Sequence, residues 1–238
     1  MYNKSAKFYD ALYHFRDYKA ASEKLFKTVT NYNPSARSLL DTACGTGKHI
    51  EHLRNFFNVE GLDVSEELLE IAKVRCPGNV VHMQSMIDFD LKKKFDVITC
   101  LFGSIAYVKI LDNLYKTIET MSTHLNPKGL LIIEPFFGKE NFWTDRITAN
   151  HYDESDLKIT WMYTSKVENG YAVLDMNYLI GTTEEVTYFK EKHELGLFSD
   201  LEYRNAMIKA GLEVKYDSEG LFGKGIGNGM YIGIKNCY

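Results

Sequence analysis

The sequence predicts an α/β fold on a seven-stranded, mostly parallel sheet, with an antiparallel β insertion before the last helix. Three observations carry that reading. Short apolar runs alternate with helix-period segments along the first 134 residues. A glycine turn, Gly45-Thr46-Gly47, follows the first of those runs. Between residues 145 and 197 the alternation gives way to β-branched and aromatic stretches, broken by the hairpin dipeptide Asn169-Gly170.

Residues 1–33 read as two N-terminal helices, with Phe8, Leu12 and Phe15 and then Ala21, Leu25 and Val29 at helical spacing, closed by Asn33-Pro34. Ser38 to Ala43 is a short buried strand. A helix from Gly47 to Phe57 places Ile50, Leu53 and Phe57 on one face. Asn58 to Asp63 is the second strand, and Ser65-Glu66-Glu67 opens a helix with acidic residues against its dipole. Strands Val80–Met83 and Phe95–Cys100 follow. A helix over about 110–124, stopped by Asn126-Pro127-Lys128-Gly129, leads to strand Leu130–Glu134. Strands separated by helices imply right-handed βαβ units and a covered parallel sheet. The insertion contributes strands at Lys158–Tyr163, Tyr171–Tyr178 and Val186–Phe189. Helix 199–210 and strands Leu212–Lys215 and Gly229–Gly233 return the chain to the main sheet, so residues 1–238 read as one domain.

Composition narrows the function. The 238 residues are 45% hydrophobic and 25% charged, the balance of a globular protein with a core. A net charge of −4 supplies no basic field for nucleic acid. The opening residues lack the apolar run of a signal peptide, and no stretch is long enough to span a bilayer, so a cytoplasmic protein without membrane contact is expected. Cys44, Cys76, Cys100 and Cys237 show no paired spacing, and no metal site is expected. The 16 Tyr and 14 Phe suit a pocket for a planar or sugar-like ligand.

The chemistry centres on Asp41-Thr42-Ala43-Cys44-Gly45-Thr46-Gly47. A strand, a glycine turn and a helix present backbone N–H groups at the carboxyl end of the sheet, where ligands of open α/β folds bind. Asp63 ends the next strand, placed to accept hydrogen bonds from ribose hydroxyls. NAD and S-adenosylmethionine (SAM) both fit that geometry. NAD needs a third glycine so that its pyrophosphate can approach the helix, and Ile50 stands there instead. SAM carries no phosphate, and Asp41 suits its cationic end.

These residues resemble class I SAM-dependent methyltransferases, whose first two motifs match Leu39 to Gly47 and Gly61 to Ser65. The resemblance implies a Rossmann-like fold and a SAM site made by Tyr18, Asp41, Ala43, Gly45, Thr46, Gly47, Asp63, Val64, Ser85, Met86 and Leu101. Ser85 replaces the Asp that usually reaches the adenine amine, and Met86 keeps the apolar role against the ring. The match narrows through Tyr9-Asp10, Leu101 to Tyr107, Glu134 to Phe137, Lys192 to Phe198 and Gly227 to Gly233. These stretches are similar to the dTDP-aminosugar N,N-dimethyltransferases. That likeness implies a small-molecule dTDP-aminosugar as acceptor, with Tyr2 and Tyr107 flanking its amine and residues 145–197 forming a lid over it. One departure stands out: Asn228 occupies the position of an Arg in the family's Gly-Arg-Gly ending. A homodimer is compatible with this reading. The alternatives are O- or N-methylation of another metabolite or of a tRNA base, and a SAM-binding protein without catalysis. His193 reads as a surface strand residue ahead of one lining the substrate site, His124 as a structural helix terminus, and Cys44 as a buried filler; Arg16 with Tyr18 reads equally as a cap on the carboxylate end of the cofactor and as helix packing.

Overall fold

The computed structural model describes residues 4–223 and 228–236. Seven strands form the main sheet: β1 (Ser38–Thr42), β2 (Asn58–Asp63), β3 (Val80–Met83), β4 (Phe95–Cys100), β5 (Leu125–Ile133), β10 (Leu212–Asp217) and β11 (Met230–Lys235). Their order is β3-β2-β1-β4-β5-β11-β10; β11 runs antiparallel to both of its neighbours. Such a sheet is covered on both faces, and consecutive residues feed opposite layers. Leu40, Ile98 and Leu131 enter the layer beneath α5 (Leu111–Thr123) and α6 (Asp200–Lys209). Leu39, Val97, Leu130 and Ile132 enter the other, beneath α2 (Tyr18–Tyr32) and α3 (Lys48–Leu53).

Helix starts follow side-chain chemistry. The Asp17 carboxylate accepts the Ala20 N–H at 2.9 Å at the head of α2. Ser65 caps α4 (Glu66–Arg75), and Ser199 with Glu202 makes a reciprocal capping box on α6. Each cap contributes about 1 kcal/mol. His124 ends α5, takes the Leu91 N–H on Nε2 at 3.3 Å and packs on Phe89. Cys44 is buried, as expected.

Two boundaries differ from the sequence reading. The segment expected to end a helix, Asn126 to Gly129, lies inside β5: Leu125 already pairs with Phe95, the register shifts, and pairing resumes at Leu130 with Val97. Helix α3 ends at Leu53 rather than Phe57, because Phe56 stacks on Phe26 of α2 with ring centres 4.3 Å apart and the chain turns to allow it.

The insertion is a four-stranded antiparallel meander of β6 (Ile147–Asp153), β7 (Leu157–Glu168), β8 (Tyr171–Thr182) and β9 (Val186–Gly196). Asn169 and Gly170 join β7 to β8 with φ of 50° and 83°, the left-handed pair a two-residue hairpin demands. Strand β6 is an addition to the sequence reading. One face of the meander buries Leu12, from α1 (Tyr9–Leu12), among Ile159, Trp161, Met176, Tyr178 and Ile180. Through Ala172 and Leu195 it also meets Ala106, in a 3-10 turn at Ser104–Val108. Among the described residues no helix is long and apolar enough to cross a membrane.

Candidate active site

The carboxyl ends of β1, β2, β3 and β4 converge, and the loops leaving them are tied to one another. Ala43 and Gly45 turn with φ of 57° and 55°, which aims the Gly45 N–H at Asp63 Oδ2, 2.8 Å away. Asp63 Oδ1 accepts the Ser65 N–H at 3.0 Å. One carboxylate therefore fastens the glycine loop to β2 while keeping further lone pairs for a ligand. Gly47 takes φ of 77° as the N-cap of α3, and a Cβ there would stand 3.2 Å from Ala72 Cβ. Gly61 is tighter still: an added Cβ would lie 2.7 Å from both Cys44 Sγ and Ile50 Cδ1. Ile50, fully buried, thus fills the gap that Gly61 leaves on β2.

Three cavities open along this edge. The first, of about 160 Å³, is lined by Ala43, Gly45, Asp63, Val64, Ser85 and Met86. The Ser85 hydroxyl accepts the Ile87 N–H at 3.2 Å, shaping the turn there. A small space of about 30 Å³ lies against Tyr18, Asp41, Thr46, His49 and Leu101. The largest, about 400 Å³, is enclosed by Phe136, Phe137, Trp143, Trp161 and Tyr163 between the main sheet and the meander. Tyr9 and Ser104 line all three, and Tyr107 lines the first and the largest. The expected cofactor residues thus fall around the two smaller spaces, apart from Gly47, which faces α4. Tyr107 stands where the first cavity meets the aromatic chamber. Tyr2 lies outside the described residues. Asn228 lines the aromatic chamber, as does Arg16, whose guanidinium stacks on Phe102 and Phe222 at 4.7 and 4.6 Å.

The electrostatics favour a cationic guest. Burial pushes the Asp41 carboxyl up to about 7 despite the 2.8 Å hydrogen bond from Thr99 Oγ1. Burial likewise raises Asp63 and Glu134, against the backbone N–H groups that hold them. A positive group arriving beside any of these carboxyls, one in each cavity, replaces lost solvation. His49 is pushed down to about 3 by burial, and neither ring nitrogen has a hydrogen-bond partner among the described residues.

Two features were missed at the level of sequence. His193, expected on the surface, is 4% exposed and lines the aromatic chamber, because β9 turns that face inward. Its Nδ1 lies 2.8 Å from the Tyr107 hydroxyl. The alternation of Glu191, His193 and Leu195 along a strand could have signalled this. The N-terminal helix is also locked to the glycine loop: Asp10 accepts the Thr46 hydroxyl at 2.7 Å and pairs with Arg75, which donates to Thr46 O at 2.6 Å. Tyr9, next to Asp10, is thereby held over all three cavities.

Residues 12–216 match the methyltransferase-domain family. A dTDP-3-amino-3,6-dideoxy-alpha-D-glucopyranose N,N-dimethyltransferase of Streptomyces fradiae is 34% identical over 217 residues, covering 90% of this chain and 85% of that one. DesVI of Streptomyces venezuelae superposes with a TM-score of 0.91 at 30% identity, covering 97% of this chain and 98% of the other. SAM-bound CalS10, an amino pentose methyltransferase from Micromonospora echinaspora, superposes at 0.87 with 26% identity, covering 99% and 98%. The chain belongs to the methyltransferase-domain family, as a SAM-dependent enzyme of the group that contains the dTDP-aminosugar N,N-dimethyltransferases.

Proposed function

We propose that this enzyme methylates the amino group of a nucleotide-linked deoxyaminosugar, with SAM in the two smaller cavities and the sugar in the aromatic chamber. The observation that carries the reading is the junction at Tyr9, Ser104 and Tyr107, where a carboxylate-lined groove meets a chamber walled by rings. The residues present fit SAM: Asp63 has lone pairs for ribose hydroxyls, Met86 offers an apolar wall to the adenine, and Asp41 faces the space suited to the amino-acid end. When bound, SAM supplies a methyl group activated by its sulfonium. The chain then has to align an amine lone pair behind that methyl and keep competing water out. Tyr107 and Tyr2 orient the amine, Tyr18 and Thr46 close the cofactor's polar end, and Val64, Ala43 and Leu101 wall it. The meander and the N-terminal helices act as one lid on the acceptor.

The test is incubation with isotopically labelled SAM and the dTDP-3-amino-3,6-dideoxy-alpha-D-glucopyranose named for the Streptomyces fradiae relative. Label is expected in the sugar amine. Tight SAM binding without transfer to this or any other nucleotide-linked aminosugar overturns the acceptor. Absence of SAM binding overturns the cofactor assignment.

A further inference from the structure

Tyr107 and His193 come from distant parts of the chain, the turn after β4 and the inner face of β9. They meet edge to face, with a 2.8 Å hydrogen bond between the phenol oxygen and Nδ1. A neutral imidazole has one N–H, so the bond's direction depends on which nitrogen carries it. Nε2, on the other side of the ring, stands 3.8 Å from Glu191 Oε2, beyond hydrogen-bond length but within reach of its charge, and Oε2 itself accepts the Ser5 hydroxyl. That carboxylate is itself anchored by the backbone N–H groups of Lys4 and Ser5, at 2.9 and 3.1 Å.

We propose that Glu191 keeps the His193 proton on Nε2, so that Nδ1 accepts the Tyr107 hydroxyl and the phenol oxygen faces the chamber only as a hydrogen-bond acceptor. His193 and Glu191 are then positioning residues acting through Tyr107, resting on the aminosugar reading above. The consequence for the amine is directional. A donor aimed at nitrogen would occupy the lone pair that must attack, whereas an acceptor takes an N–H and leaves that lone pair facing the methyl group. The amine lone pair forms the N–C bond as the S–C pair withdraws onto sulfur, and the ammonium product then gives a proton to water. Burial supports the arrangement, since it drives the His193 ring down to about 4 and keeps it neutral over the working range.

The first measurement needs no acceptor. In protein labelled with 15N-histidine, the His193 signals, assigned by their loss in His193→Phe, are expected to show a neutral ring protonated on Nε2. A proton on Nδ1, or a charged ring at neutral pH, overturns the inference. In Glu191→Gln the two neutral tautomers are expected to mix; an unchanged pattern overturns the role of Glu191. The second is a double-mutant cycle with dTDP-3-amino-3,6-dideoxy-alpha-D-glucopyranose. His193→Phe is expected to lower kcat by about tenfold to a hundredfold with SAM affinity unchanged. In a Tyr107→Phe background it is expected to have no further effect, and full additivity overturns action through Tyr107. If His193→Phe does not fold, the tautomer of the native ring, then assigned through Tyr107→Phe, still decides. If no aminosugar is turned over, the acceptor reading falls while the tautomer test remains.

Discussion

Asp41, proposed to face the amino-acid end of SAM, shows how a single buried group makes stability depend on pH. It is 2% exposed, and its carboxyl lies near 7 against an ordinary 3.8. The folded chain therefore binds this proton more tightly than the unfolded chain. Through this group, stability falls as pH rises from about 4 to about 7, and the penalty is complete above that. Asp41→Asn removes the charge and keeps an acceptor for Thr99. Without ligand, it is expected to raise the melting temperature more at pH 8 than at pH 5, while weakening SAM binding at both. Equal shifts at the two pH values would remove the electrostatic account. Asp41 and Asp63 were legible in the sequence because their spacing around a glycine turn has few other uses. His193 was harder to read, because its alternation with Leu195 is the one hint of an inward face and the charged neighbours on either side mask it.

At the scale of elements, the strongly periodic helices and the Asn169-Gly170 hairpin were legible because local chemistry decides them. The register shift at Phe95 and Val97 was not: it is set by pairing across two strands, and Asn126-Pro127 reads locally as a helix stop. Strand β6 escaped for a related reason, since its edge position leaves Ile147 71% exposed and weakens the alternation. Ile50 has a structural partner on the neighbouring strand. A missing glycine on α3 is matched by Gly61 on β2, which opens the room Ile50 occupies. Gly61→Ala is expected to cost about 1–3 kcal/mol by overpacking. Adding Ile50→Val, which deletes the Cδ1 atom in the way, is expected to recover part of that loss. Thermal or urea denaturation of the three variants measures it. A double variant as unstable as the sum of the singles would place the strain elsewhere.

For the whole molecule, the assembly of three cavities at one junction could not be read from the chain, because it depends on how the N-terminal segment and the meander sit on the sheet. Part of that placement rests on Asp10, which joins the Thr46 hydroxyl to Arg75. Asp10→Ala is expected to loosen the N-terminal segment, speeding proteolysis before α2 and weakening SAM binding by several-fold. Limited digestion with and without SAM checks this, and unchanged cleavage would show that burial of Leu12 under the meander suffices.

The aromatic wall has a further consequence for observing the enzyme at work. The chain has two tryptophans, Trp143 and Trp161, and both line the aromatic chamber. Neither lines the spaces assigned to SAM. The protein's own ultraviolet emission is thus a native reporter of one compartment: a sugar nucleotide entering the chamber is expected to shift or quench it, and SAM alone to leave it nearly unchanged. A titration in each order of addition would read acceptor occupancy without any label, and a large response to SAM alone would show that the compartments move together.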